Sequence, residues 1–286
     1  MANHGEGKAG GAEPVRGAPP PDFSDDETVA FSPEPAALVG RVLGGRYRLL
    51  SILGTGGMGT VYRAQHDIIE RPVAVKVLAP AFLRLPGIRE RFFREARVAN
   101  RIQHPAVIDV LDLGETDLGL LYLVMEYLHG ETVCERYARG RMPVPELLEA
   151  LRVACTGLGA AHDIGVVHRD VTPSNIFLVR KSAGAQPVGP VKILDFGIAF
   201  IQSEIRLTRP GEVFGTPHYM APEVILGKDA SALSDVYALG AVLYEGLAGR
   251  PPFDGTTCSQ ITQQQVADPP TPIAGICPDI PERLAA

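Results

Sequence analysis

His168-Arg169-Asp170-Val171-Thr172-Pro173-Ser174-Asn175 stands just after a helical pattern, and Asp195-Phe196-Gly197 just after a short strand-like run, Val191 to Leu194. Random order would set Asn five residues beyond His-Arg-Asp in fewer than about one chain in a thousand. The upstream helical pattern is Leu147, Leu151, Ala154, Leu158 and Ala161, which step by four and three and share one face. Downstream, Leu233 to Ala248 reads as a second, strongly apolar helix and is expected to be buried.

The first half of the chain has a different texture. Tyr47 to Leu53, Thr60 to His66 and Pro72 to Leu78 are short β-rich runs separated by turn residues. A helical stretch, Arg89 to Gln103, is followed by two more strand-like runs, Val107 to Leu113 and Leu120 to Tyr127. A mostly β half followed by a mostly α half predicts an α+β, bilobal fold with a cleft between the lobes. The boundaries expected are a first lobe over 43–127 and a second over 128–286. Residues 1–42, with Ala18-Pro19-Pro20-Pro21 and Asp25-Asp26-Glu27, have too little apolar surface to offset ordering entropy and are expected to be disordered.

Composition excludes several roles. A net charge of −6 gives no support for nucleic-acid binding. The four cysteines, Cys134, Cys155, Cys258 and Cys277, have neither disulfide-like nor metal-ligand spacing and read as reduced thiols. No apolar run approaches the roughly 20 residues that cross a bilayer, and no short apolar core marks a signal peptide. The expectation is a cytoplasmic protein with no membrane or nucleic-acid partner.

Gly54-Thr55-Gly56-Gly57-Met58-Gly59 fits G-x-G-x-x-G, but with 31 glycines about one random chain in three would do so. Its context says more. Thr60-Val61-Tyr62-Arg63-Ala64 follows as a strand, whereas a dinucleotide-binding loop opens a helix. A phosphate loop ending Gly-Lys-Ser/Thr is absent. Strand, glycine turn and strand make a hairpin whose bare backbone can lie close over phosphates. Val73-Ala74-Val75-Lys76-Val77 sets a cation in an apolar strand, and Glu95 shares a helix face with Phe92, Ala99 and Ile102. A carboxylate on an apolar stripe is costly to desolvate unless it meets a cation. Lys76 is its natural partner.

Taken in order, these motifs resemble those of eukaryotic-type protein kinases in their bacterial serine/threonine branch. The resemblance covers about residues 47–285 and implies a kinase that uses ATP with Mg²⁺, or Mn²⁺ as an alternative, on protein substrates. By similarity, Gly54, Gly56 and Gly59 cover the phosphates, and Lys76 grips them while paired to Glu95. Leu53, Val61 and Ala74 enclose the adenine, Met125 is the gatekeeper, and the Glu126 to Leu128 hinge bonds the adenine edge. Asp170 is the catalytic base, and Asn175 and Asp195 hold metal. Gly215 to Glu223, ending Ala221-Pro222-Glu223, resembles the substrate-binding end of an activation segment and favours serine or threonine over tyrosine. Asp235 matches a buried aspartate that braces the catalytic loop. Arg169 implies control by phosphorylation, with Thr208, flanked by Arg206 and Arg209, as the expected site. Thr28 is a candidate phosphosite for a phosphothreonine-reading partner of the N-terminal tail.

Two departures stand out. Thr172 occupies the place where serine/threonine kinases usually carry Lys, so γ-phosphate neutralisation is expected to be weaker. Past Pro251-Pro252-Phe253 the resemblance predicts further helices bringing an arginine to Glu223, yet Arg283 is the sole Arg or Lys after Arg250. The second lobe is therefore expected to be truncated, with Val242, Leu243 and Leu247 exposed and marginal stability as a result. The alternative function is an ATP-binding pseudokinase or scaffold; retention of Lys76, Asp170, Asn175 and Asp195 argues against it.

Overall fold

Val73, Val75 and Val77 lie on one face of a strand and Ala74, Lys76 and Leu78 on the other, and all six are buried. A strand covered on both faces belongs inside a sheet. In the computed structural model this strand, β4 (Arg71–Leu78), sits between β3 (Gly59–His66) and β6 (Leu121–Glu126). With β1 (Val42–Leu43), β2 (Tyr47–Gly56) and β5 (Val110–Glu115) it completes a sheet of order β1-β2-β3-β4-β6-β5, every neighbour antiparallel. The residues described are Met1, 34–180, 191–196, 217–278, 280, 281 and 284.

The glycine hairpin joins β2 to β3, with Gly56 opposite Gly59. Gly59 has φ +146°, and a Cβ there would lie 2.1 Å from the Val77 carbonyl oxygen, so no other residue fits. Helix α1 (Ile88–Ala99) buries Ile88, Phe92 and Ala96 against β4 and β6 residues, while Ala99 at its end joins the core cluster that holds Val107, Ile193 and Phe196. It ends a turn earlier than the pattern to Gln103 predicts. Beyond Asn100 the chain tightens into short turns that still bury Ile102.

The expectation of disorder up to residue 42 is corrected at its end. Pro35–Leu38 forms a 3₁₀ turn whose Leu38 is buried in the sheet's core, and the Tyr62 hydroxyl donates to the Pro35 carbonyl at 2.9 Å. One apolar side chain with a sheet to cover is enough to order this stretch. Residues 2–33, including Thr28, lie outside the described residues.

The second lobe is built on α3 (Val144–Asp163) and α5 (Ala232–Ala248), with α2 (Val133–Ala138) and α4 (Pro222–Ile225) preceding each. Gly246 permits the close approach of α5, because a Cβ there would sit 2.5 Å from the Tyr137 hydroxyl and 2.6 Å from Leu147. A small sheet, β7 (Gly130–Thr132), β8 (Ile176–Val179) and β9 (Val191–Ile193), lies beside α3.

The expected exposure on α5 is also corrected. Val242 and Leu247 are 0% and 5% exposed, and Leu243 packs against the same core. Helix α7 (Ile273–Ile276) covers them: Ile273 and Ile276 join the cluster, and the Cys277 thiol donates to the Leu247 carbonyl at 3.1 Å. Exposed apolar side chains on α5 are instead Leu233 and Val236, at 75% and 59%. Nor is Glu223 a buried orphan. It is half-buried and accepts the Ser234 hydroxyl at 2.6 Å; Arg283 is outside the described residues.

Candidate active site

The loop after α3 is held from behind. Asp235, 1% exposed on α5, accepts the backbone N–H groups of His168 and Arg169 and the His162 ring N–H, each at 2.8 Å. Arg169 has φ +70° and Asp195 φ +61°, left-handed conformations that ordinary residues keep only when surrounding bonds over-determine them. His168 is fully buried. Its Nδ1 accepts the Asp170 N–H at 3.2 Å, while its Nε2 donates to the Leu194 carbonyl at 2.7 Å. Its ring also meets buried Phe196 edge to face, with centroids 4.5 Å apart. One imidazole thus links the residue before Asp195 to the backbone of Asp170.

Asn175 completes the link. Its Nδ2 donates to the Asp170 carbonyl at 2.8 Å and to Asp170 Oδ2 at 3.0 Å, and its own carbonyl accepts the Leu194 N–H at 2.8 Å. With the amide N–H groups spent on Asp170, the side-chain oxygen of Asn175 remains to act as an acceptor.

Lys76 and Glu95 are not paired. Lys76 Nζ, on a 6% exposed side chain, lies 2.7 Å from Asp195 Oδ2, and Glu95 Oε1 is held by Arg94 at 3.2 and 3.3 Å. The expected Lys76–Glu95 contact is corrected on two counts. The neighbouring guanidinium reaches Glu95 along the helix surface, and the Asp195 carboxylate answers the buried ammonium across the cleft.

That cleft, about 1030 Å³, is lined by Leu53, Gly54, Val61, Ala74, Met125, Glu126, Leu128, Asn175 and Asp195. Its volume is of the size that small-molecule sites have. Gly56 and Gly59 lie in the overhanging hairpin, outside the lining. Asp170, Arg169 and Thr172 face a small adjoining pocket together with Tyr219 and Met220. Burial, reinforced by a 2.5 Å bond to Glu245, pushes the Tyr219 phenol far above its ordinary value, so it stays a donor at any working pH. Buried Gln265 on α6 (Cys258–Ala267) donates to the Pro217 carbonyl at 2.8 Å and supports the same segment.

Over residues 47–278 the sequence matches the family model described as Protein kinase domain. The chain belongs to the protein kinase family. Its kinase domain is 42% identical over 251 residues to the serine/threonine-protein kinase PknA of Mycobacterium tuberculosis, covering 86% of this chain and 56% of PknA. It is 38% identical over 242 residues to the serine/threonine-protein kinase pkn2 of Myxococcus xanthus, covering 84% of this chain and 29% of that protein. The chain therefore spans about half or less of the length of these curated relatives. Among solved structures, the Mycobacterium tuberculosis PknI kinase domain aligns with a TM-score of 0.63 at 31% identity, covering 84% of each chain. A β-rich lobe over a helical lobe is thus the kinase fold, as the residue pattern predicts.

The kinase domain also uses residues that the sequence reading passed over. Thr132 and Glu135 line the cleft and cap each other at the start of α2, the Thr132 side chain accepting the Glu135 N–H and Glu135 accepting the Thr132 N–H. Their T-x-x-E spacing is a helix-start signal legible in the chain. Ile108 and Phe177 add apolar surface, for which no local signal exists, and Tyr127, inside the expected 126–128 stretch, lines the cleft as well. Gly197, Thr208 and Gly215 lie outside the described residues. Among the described residues no helix is long and apolar enough to cross a membrane.

Proposed function

We propose that this protein transfers the γ-phosphate of ATP to serine or threonine hydroxyls of other proteins in the cytoplasm, as part of a signalling response. The observation that carries the reading is the pairing of two cleft-lining residues with chemistry just behind them: Asp195 with Lys76 at 2.7 Å, and Asn175 with Asp170 at 2.8 and 3.0 Å. Adenine would lie among Val61, Ala74 and Met125, against the backbone of 126–128. Lys76 would hold phosphate oxygens, and Asp170 would take the proton of the attacking hydroxyl. As the new O–P bond forms, the bond between the γ-phosphorus and the bridging oxygen breaks and ADP leaves. The donor set suits Mg²⁺, since the Asp195 carboxylate and the Asn175 amide oxygen are hard oxygen ligands and both residues line the cleft. Mg²⁺ bound there would neutralise phosphate charge.

Labelled ATP with a serine/threonine peptide tests this against a tyrosine peptide and an EDTA control. Label on the serine/threonine peptide alone, lost with EDTA, is the expected result. Label on neither peptide would favour a scaffold without transfer. Control by phosphate at Thr208 acting on Arg169, and a partner for phosphorylated Thr28, extend the proposal.

Thr172 gives a further prediction. Its hydroxyl can offer a hydrogen bond but no charge beside Asp170, so Thr172→Lys is expected to raise kcat on a peptide by about threefold. Steady-state rates at saturating ATP check it. A fall in kcat at unchanged ATP affinity would show a site built around the hydroxyl.

A further inference from the structure

Lys192 is a nearly buried cation, 13% exposed, that the proposed chemistry does not use. Its Nζ lies 2.5 Å from Glu126 Oε1 and donates to the Val107 carbonyl at 3.0 Å. The same Glu126 oxygen accepts the Asp109 N–H at 2.9 Å, and the Glu126 N–H donates to the Asp109 carbonyl at 3.1 Å. Three stretches of chain therefore meet at one ammonium: the end of β6, the segment 107–109 and β9. β9 is fastened to that segment as well, Ile193 donating to Ala106 at 2.8 Å and Ile108 to Ile193 at 3.0 Å. One residue beyond, Leu194 donates to the Asn175 carbonyl, and Asp195 follows.

A desolvated lysine persists only when its pairing repays the loss of water. An ion pair placed merely for stability is often replaceable by apolar residues of similar volume. This one sits where the two ends of a nucleotide would be held by different pieces of chain. Glu126, Tyr127 and Leu128, on the proposed adenine side, and Asn175 and Asp195, on the proposed phosphate side, all line the one cleft.

We infer that Lys192 is a positioning residue for nucleotide binding, fixing the adenine-facing backbone at a set distance from the metal-side residues through Glu126. The inference rests on the reading of the cleft as the ATP site. Without the ammonium, the Glu126 carboxylate, already 21% exposed, turns to water and releases the Asp109 N–H. The backbone at 126 then loses a tether. Nucleotide must then order that backbone on binding, and the cost of the ordering falls on affinity.

The test is steady-state kinetics in ATP on the full chain, with thermal melts, for Lys192→Met, Lys192→Arg, Glu126→Gln and the Lys192→Met/Glu126→Gln double variant. Lys76→Met serves as a control for the cleft itself. Lys192→Met is expected to raise KM for ATP about five- to tenfold with kcat within about twofold, and Lys192→Arg to recover most of that loss. The double variant is expected to be no worse than the worse single one, as coupled residues behave. Should Lys192→Met fail to fold, Glu126→Gln, which keeps size and an acceptor oxygen, carries the same KM expectation. An unchanged KM in folded Lys192→Met, or in Glu126→Gln where that variant stands in, overturns the inference whatever happens to Tm. Full turnover in Lys76→Met would instead overturn the cleft assignment, and this inference with it.

Discussion

Asp170→Asn protein is expected to fold normally and to transfer phosphate at least about a hundredfold more slowly than the parent. Asn matches Asp in size, and its oxygen can still accept the 3.0 Å bond from Asn175 Nδ2, so the loop keeps its shape. What disappears is the carboxylate proposed to take the hydroxyl proton. Lys76→Met is expected to cost a similar factor by a different route, because it removes the cation 2.7 Å from Asp195 while a thioether of similar length fills the apolar slot. The two losses separate kinetically. Asp170→Asn lowers kcat at near-normal ATP affinity, whereas Lys76→Met also raises KM for ATP. Initial rates over a range of ATP, with a melt to verify folding, check both. Parent-like turnover from folded Asp170→Asn protein would end its assignment as the base.

Much of this site is legible in sequence, and the boundary of legibility has a physical cause. Elements whose parts lie close along the chain form where the pattern predicts: the glycine hairpin and the α3 stripe, with His168, Asp170 and Asn175 meeting in the loop that follows. Periodicity fixes which face of α1 is buried. It does not fix what the edge of that face touches. Glu95 looked committed to Lys76, yet Arg94 beside it competes for the same carboxylate at no cost in chain closure. Which partner wins depends on where α1 stands relative to β4, a tertiary variable with no local signature. Lys192 fails for the same reason. Its partners Glu126 and Val107 are remote in sequence, and a lone lysine in a short strand normally points to water. On α5, a run apolar all round cannot say which side later helices cover. Val242 and Leu247 proved buried while Leu233 and Val236 did not.

Asp235→Asn carries the other large effect, and it tests whether the loop geometry is imposed from behind. The carboxylate receives its N–H donors on both oxygens, His168 and His162 on Oδ2 and Arg169 on Oδ1. An amide of the same shape has one oxygen. If that oxygen stays with His168 and His162, the NH₂ group confronts the Arg169 N–H, donor against donor; the reverse flip sets it against the His168 N–H, even where His162 changes tautomer to accept. Either way a buried polar group goes unsatisfied, at about 1–3 kcal/mol, and charge-assisted bonds become neutral ones. For a domain of this size each kcal/mol lowers Tm by about 2–4 °C. The functional loss should exceed what the melt alone implies. Arg169 holds φ +70° with the help of the bond being broken, and relaxation there displaces Asp170, the next residue. We expect kcat to fall about thirtyfold while KM for ATP changes little, since the adenine side of the cleft is anchored elsewhere. A variant that melts several degrees lower but keeps its kcat would show that Asp235 supports the fold without shaping the catalytic loop.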